Sequence, residues 1–341
     1  MLLRTGVQLL HLLLLLVLTA SANQLPARKH TYNLVDFGGK GDGVTLNTQS
    51  FRAAVAAITL VAGDGGGLLH VPAGRWMTGP FNLTSHMTLF LDQHATILGT
   101  PNRSLHPLVA ELPSYGGGAR PMSLVHGRGL ADVVIAGANG TIDGNGAAWW
   151  HAQPKEVPNG RGFLLEMMHC QDLVVTNITL QNSPSWTVHP YDCDRVSITD
   201  VTILAPDTSP NTDGIDPDSS RDVFIGNYYY HGGDDAIAVK SGIDCKGRAF
   251  NTPSANIRVE NVTVFHATEP HNCIAIGSEI SGGVFNVSVR NVQCLGQPDN
   301  SVTHTLPTEN LLEVTDAGCF VSLRRRRRAE ATHHRALGPA A

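Results

Sequence analysis

Three aspartates stand in two short segments, Asn211-Thr212-Asp213-Gly214-Ile215-Asp216 and Gly232-Gly233-Asp234-Asp235-Ala236-Ile237. Their separation matches one turn of the strand-rich pattern around them, so a repeating fold can stack all three carboxylates on one surface. Carboxylates crowded in a polar cleft repel one another and their proton affinities split, which yields one acid and one or two bases near working pH. Such a set can hydrolyse a glycosidic bond. The plainer alternative is that Asp and Asn beside Gly are turn formers, whose side chains bond neighbouring backbone and tolerate unusual dihedrals. The surrounding elements decide between the two.

Those elements recur. From Leu68 onward the chain runs in short alternating stretches broken by Gly, Asn, Asp and Pro, among them Leu89 to Leu91 and Val133 to Ile135. Comparable stretches return at Leu173 to Leu180, Val196 to Ile203, Val223 to Ile225, Ile257 to Val264 and Val287 to Val292. Each is too short to bury its apolar face alone, but stacked turns of a parallel β-helix bury a continuous column of Val, Ile and Leu. Asn177 and Asn261, each just ahead of such a column, are expected to stack in the turns. A β-sandwich is the competing architecture, because short strands with turn signals also describe it. An end of a solenoid needs a cover. Asn47 to Ala62 reads as a helix that supplies one, with Asn47 as N-cap and Phe51, Ala54, Val55, Ile58 and Val61 on one apolar face. The segment Phe37-Gly38-Gly39-Lys40-Gly41-Asp42-Gly43 lacks the Lys-Ser/Thr of a phosphate loop and reads as a turn.

Bulk properties narrow the function. With 16% charged residues, 42% hydrophobic ones and 35 glycines in 341 residues, the chain is globular rather than disordered. A net charge of only −5 and a single basic run, Arg324 to Arg328, speak against nucleic-acid binding. Arg4, the apolar run Leu9 to Val17 and the small residues Ala20-Ser21-Ala22 form a signal-peptide pattern over 1–22, with cleavage expected after Ala22. The apolar run is shorter than a membrane span, so no membrane association is expected after cleavage. Six sequons, at Asn82, Asn102, Asn139, Asn177, Asn261 and Asn286, agree with a secretory route, and about half are expected to be used. The six cysteines, Cys170, Cys193, Cys245, Cys273, Cys294 and Cys319, permit disulfides of undetermined pairing and show no zinc-type spacing. No metal and no cofactor is assigned, and a monomer is expected.

At Asn211-Thr212-Asp213, Gly233-Asp234-Asp235 and Gly277-Ser278-Glu279-Ile280-Ser281-Gly282-Gly283 the chain resembles glycoside hydrolase family 28, whose main members are polygalacturonases. The similarity runs from about Tyr32 to about Val292 and includes Gly79-Pro80-Phe81-Asn82 and Gly140-Thr141-Ile142-Asp143-Gly144. The resemblance implies a right-handed parallel β-helix, secretion to the cell wall, and hydrolysis of α-1,4-linked galacturonic acid in pectin with inversion at the anomeric carbon. It further implies Asp234 as the general acid, with Asp213 and Asp235 activating the attacking water. Adjacent Asp234 and Asp235 would face opposite ways on a regular strand, so a bend is expected, and Gly232 and Gly233 allow one. Asn211 reads either as a substrate-positioning residue or as a turn former. Lys240 reads as a cation for a galacturonate carboxylate, against the default of a solvated lysine, while His189 reads as packed. Glu279 joins Lys240 as a substrate-binding candidate, and both are similar to a branch rich in exo-acting members.

Two departures stand out. Where many members have Gly-His-Gly, this chain has His271-Asn272-Cys273, so Asn272 takes the histidine position and His271, one residue off, is expected to face away. The Arg-Ile-Lys motif that should follow Glu279 is missing, and Arg290 does not reproduce it. After Val292 the strand pattern stops, which reads as a shortened product: a β-helix domain over 23–297 with an uncovered end, and a disordered tail over 298–341. Three functions follow: a secreted pectin hydrolase, an impaired wall protein that binds pectin without cleaving it, and a calcium-dependent pectate lyase, against which the hydrolase motifs argue. Endo and exo cleavage both remain open.

Overall fold

The computed structural model describes residues 25–266 and 271–296, together with the backbone of 304–305, 310–314 and 321–323. The signal segment, Cys319 and the Arg324 to Arg328 run lie outside the described residues. The strands Ala131–Asp143, Gln171–Gln181, Asp194–Leu204, Arg221–His231, Ser254–His266 and Val284–Gly296 pair in parallel in that order. The shorter strands His30–Asn33, Gly67–Val71 and Met87–Leu91 precede them in the same sheet. A sandwich would require antiparallel hairpins; this pairing is a parallel β-helix. Ile135, Val175, Ile198, Ile225, Val259 and Val289 stand in register as one column. All six are buried, each worth about 1.5–3 kcal/mol of apolar transfer.

Each long strand turns a corner twice, and the corners explain the Asn and Asp content. Asp172, Arg195, Asp222, Asn256 and Asn286 occupy one corner with φ between 51° and 57°. Asn177, Asp200, Asn227, Asn261 and Asn291 occupy the next with φ between 49° and 56°. Apart from Arg195, these are short side chains that bond locally, the ones that tolerate this left-handed backbone. At the second corner they also bond along the solenoid, Asn291 Nδ2 to Asn261 Oδ1 at 2.8 Å and Asn261 Nδ2 to Asn227 Oδ1 at 3.2 Å. Asn227 Nδ2 continues to Asp200 Oδ1 at 3.1 Å.

The helix forms over Thr48–Val61 and lays Phe51, Ala54, Val55 and Ile58 on the first turns. Phe51 stacks on Phe81 with centroids 4.4 Å apart. Asn47 caps the helix by position but not through its side chain. Its amide instead ties Lys40, Thr45 and Met77 together, a use of the same donors and acceptor that pins the glycine turn to the solenoid. That turn needs its glycines because a Cβ at Gly39 or Gly41 would meet the Trp76 ring at 3.1 or 3.0 Å.

At the other end, His304–Thr305 and Asn310–Val314 run antiparallel to Val284–Gly296. Val321–Leu323 runs antiparallel to Ile274–Ile276. The last strand edge, expected to be uncovered, therefore has backbone partners at Val284, at Val287 to Val289 and at Gln293 and Cys294. The rest of 298–341 lies outside the described residues. Cys273 and Cys294 form a disulfide, while Cys170, Cys193 and Cys245 form none among the described residues.

A separate face carries short strands only. Val125–Arg128, Leu165–Met168 and Val188–Tyr191 pair in parallel. Single bridges extend them through Ile215, Ile237, Asp218 and Lys240. Ala238–Val239 then pairs with Ile274–Ile276. This face bears the carboxylates.

Candidate active site

On the short-strand face, Thr187 N donates to Asp213 O, Gly214 N to Asp235 O and Ala236 N to Asn272 O, each at 2.9 Å. Asp213, Asp235 and Asn272 thus occupy equivalent positions of successive turns, as a stacked reading of the two segments requires. Asp234 joins them through a bend over 232–234 in place of strand. A Cβ at Gly233 would meet the Ser209 carbonyl at 2.1 Å and one at Gly232 the Tyr230 hydroxyl at 2.5 Å, so both glycines are needed for the close approach. Inside the bend the Asp235 N–H donates to Asp234 Oδ1 at 2.9 Å.

Two tyrosines missed by sequence reasoning hold this arrangement from within the core. The Tyr230 hydroxyl lies 2.8 Å from Thr212 O and 2.9 Å from Asp234 O, donating to one at a time, and accepts from Asp234 N at 3.2 Å. Tyr228 donates to Ala236 O at 3.0 Å. Both rings are buried and both segments are therefore fastened to one strand. The only signal was the Tyr228-Tyr229-Tyr230 run, in which the first and third face inward.

Lys240 does not stand free in the cleft. Its ammonium is buried, donates to Glu279 Oε2 at 3.0 Å, and faces Asp216 Oδ1 at 3.6 Å and Asp213 Oδ2 at 3.9 Å. It also sits 4.4 Å above the Trp186 ring, which stacks on Phe163. As placed, it neutralises protein carboxylates, and Glu279 is its hydrogen-bonded partner. Burial pulls Lys240 down, but Asp216, Asp213 and Glu279 outweigh it and hold the ammonium above its ordinary value. Burial raises Glu279 and Lys240 more than reverses this.

Asp216, in the opening motif but assigned no role there, is fully buried, and among the described residues neither of its oxygens is hydrogen-bonded. Burial, then the charge of Asp213, drives its carboxyl well above the usual range. Burial likewise pushes Asp213 from 3.8 up to about 7, with Lys240 opposing and Asp234 and Asp235 adding to the rise. Asp235 is raised by burial against the bonds from Asn272, whose N–H and Nδ2 both donate to Oδ1 at 2.7 Å. Asn272 thus orients a carboxylate in the place where a histidine was expected.

His271 comes back into the cleft. Its Nδ1 lies 3.7 Å from Asp234 Oδ1, and ligand atoms of Asp234, Asp235 and His271 lie within 4.8 Å of one another. The expectation that it faces away assumed a strand, but residues 271 and 272 precede one, so alternation does not apply. These three groups are close enough to one another to hold a cation; no metal is assigned. Asn211 adopts the turn conformation at φ 55° and accepts from Arg161 Nη2 at 2.6 Å. His189 is packed, as expected, between Glu166 at 3.1 Å and Asp218 at 3.3 Å. Burial lowers it and the carboxylates outweigh burial, leaving it raised.

A parallel β-helix with a cluster of carboxylates on its short-strand face defines the class. Residues 69–302 match the family model described as glycosyl hydrolases family 28, and the chain belongs to that family. It is 44% identical over 275 residues to a Vitis vinifera protein named probable polygalacturonase, covering 79% of this chain and 55% of that relative. It is 25% identical over 309 residues to the exo-poly-alpha-D-galacturonosidase of Dickeya chrysanthemi, covering 76% and 49%. The chain spans about half the length of these curated relatives. Among solved structures, it is similar to the exopolygalacturonase of Thermotoga maritima at TM-score 0.68 and 30% identity, covering 79% of this chain and 67% of that one. The polygalacturonase of Erwinia carotovora ssp. carotovora shares the fold at TM-score 0.64 and 24% identity, covering 80% and 71%. Among the described residues, no helix is long and apolar enough to cross a membrane.

Proposed function

We propose that the chain is a secreted glycoside hydrolase that cleaves α-1,4-galacturonosyl linkages of polygalacturonate in the cell wall by inverting acid–base catalysis. The observation that carries this is the stacking of Asp213 and Asp235 on successive turns with Asp234 bent in beside them. Asp234 is half-buried, its side chain 25% exposed beside His271 where that of Asp213 is 7% exposed, and serves as the acid. It protonates the leaving oxygen as the anomeric C–O bond breaks, while water attacks from the opposite face and gives its proton to Asp235, with Asp213 beside it able to accept one only above about pH 7. Charge alone would nominate Asp213 as the proton carrier, since it holds a proton to about pH 7. All six sequon asparagines are exposed, which supports the secretory reading.

Incubation of the purified chain with polygalacturonate at mildly acidic pH should release reducing ends, and Asp234→Asn should lower the rate by at least about 100-fold. Equal release by the variant removes Asp234 from the mechanism. A second reading, binding of pectin without turnover, is favoured by the commitment of Lys240 to Glu279 and by the missing Arg-Ile-Lys motif. Binding with no release would establish it. A calcium-dependent unsaturated product would instead identify a lyase. Product sizes from a defined oligogalacturonate read the cleavage mode.

A further inference from the structure

Arg161 belongs to no motif, yet it reaches the rim of the carboxylate cluster. Its Nη1 donates to the carbonyls of Pro184 at 2.9 Å and Pro210 at 2.7 Å, and its Nη2 to Asn211 Oδ1 at 2.6 Å. Three bonds to points on two successive turns fix the guanidinium plane. They use both Nη1 protons and one on Nη2, which leaves one N–H on Nε and one on Nη2 without a partner among the described residues. No carboxylate of the described residues forms an ion pair with it, in contrast to Lys240 with Glu279 and Arg120 with Glu166. The side chain is half-buried, and burial lowers its proton affinity while Asp213 and Asp234, both close enough to act on it, raise it.

We propose that Arg161 is a substrate-binding residue whose remaining Nε–H and Nη2–H receive the carboxylate of a uronate ring at the cluster, with Asn211 holding the guanidinium in place. This rests on, and deepens, the polygalacturonate reading. A planar, immobilised guanidinium with two unused donors suits a carboxylate, and its ordering cost is already met by the three bonds behind it. It also explains Asn211, whose side chain acts through Arg161. A purely structural tie between the Pro184 and Pro210 turns would need neither the charge nor the open donors.

The test compares free-acid and methyl-esterified oligogalacturonates with the full chain, Arg161→Gln and Arg161→Lys, reading binding by calorimetry and turnover by reducing ends. Arg161→Gln is expected to weaken binding and raise KM for the free acid by about tenfold, to change the ester little, and so to erase the preference for the acid. Arg161→Lys, which keeps the charge, should recover part of it and supplies the comparison if the Gln variant melts early. Equal losses on acid and ester, or an unchanged preference, would overturn the proposal and leave the hydrolase reading intact. Acid-selective binding that depends on Arg161 without release of reducing ends would sustain the proposal and sink hydrolysis. Failure of the unaltered chain to bind either oligomer would overturn both.

Discussion

Asp213 is buried, its Oδ1 has no hydrogen-bond partner among the described residues, and its other oxygen faces Lys240 across 3.9 Å. Burial therefore gives it a folded pKa of about 7 against an ordinary 3.8. Between these values the native state holds a proton that the unfolded chain has released, so stability falls as pH rises through that window, by at most about 4 kcal/mol. Asp216 and Asp235, also raised, act with the same sign. Asp213→Asn is expected to flatten the decline and to melt above the parent at pH 7, in thermal scans taken from pH 4 to 7. An unchanged slope would mean that Asp213 is ionised in the folded chain. What the motif disclosed was the carboxylates and their spacing. The burial that alters them, and the capture of Lys240 by Glu279, depends on neighbours from other turns.

Among elements, the Arg221–His231 strand governs the candidate site although it carries none of the three aspartates. Tyr228 and Tyr230 point into the core from it and fasten 212–214 and 234–236. Gly233→Ala would drive a Cβ to 2.1 Å from the Ser209 carbonyl, and backbone cannot yield as a flexible side chain does. The variant is expected to lose both activity and at least about 2 kcal/mol of stability. Tyr230→Phe keeps the ring and removes only the hydroxyl, at a cost of about 1–3 kcal/mol. Its rate should fall further than its stability, because Thr212 and Asp234 lose their shared anchor. Urea melts alongside initial rates separate the two, and a rate loss matched to the unfolded fraction would refute a positioning role. The need for a bend at Gly232-Gly233 was legible from the adjacent aspartates; the tyrosines beneath it were not, because a run of three tyrosines does not say what its hydroxyls meet.

At the scale of the molecule, stability comes from repetition along the solenoid axis. Ile225 sits in the aliphatic column between Ile198 and Val259. Ile225→Ala should cost about 2–5 kcal/mol through the cavity it leaves. Because each turn contacts only its neighbours, the loss falls on the turn that carries Tyr228 and Tyr230, and the site should loosen with it. Hydrogen exchange at 221–231 and 254–266 measures this, and uniform deprotection of all turns would argue for one global unit instead. The period of the column and the helix over the first turns were both readable, since burial of one apolar stripe has a sequence period. The antiparallel strand at Asn310–Val314 was not, because it answers the open edge of Val284–Gly296 rather than any pattern of its own.

By itself, the sequence determined the parallel solenoid, the family and the three aspartates, because each depends on residue type and spacing within or between adjacent turns. Tertiary structure decided the rest: that His271 enters the cleft, that Asn272 orients Asp235, that Lys240 is an internal counter-ion and that Arg161 keeps open donors at the rim. Charge, burial and hydrogen-bond occupancy are set by whatever other turns bring within a few ångströms, and that proximity is a property of the folded chain.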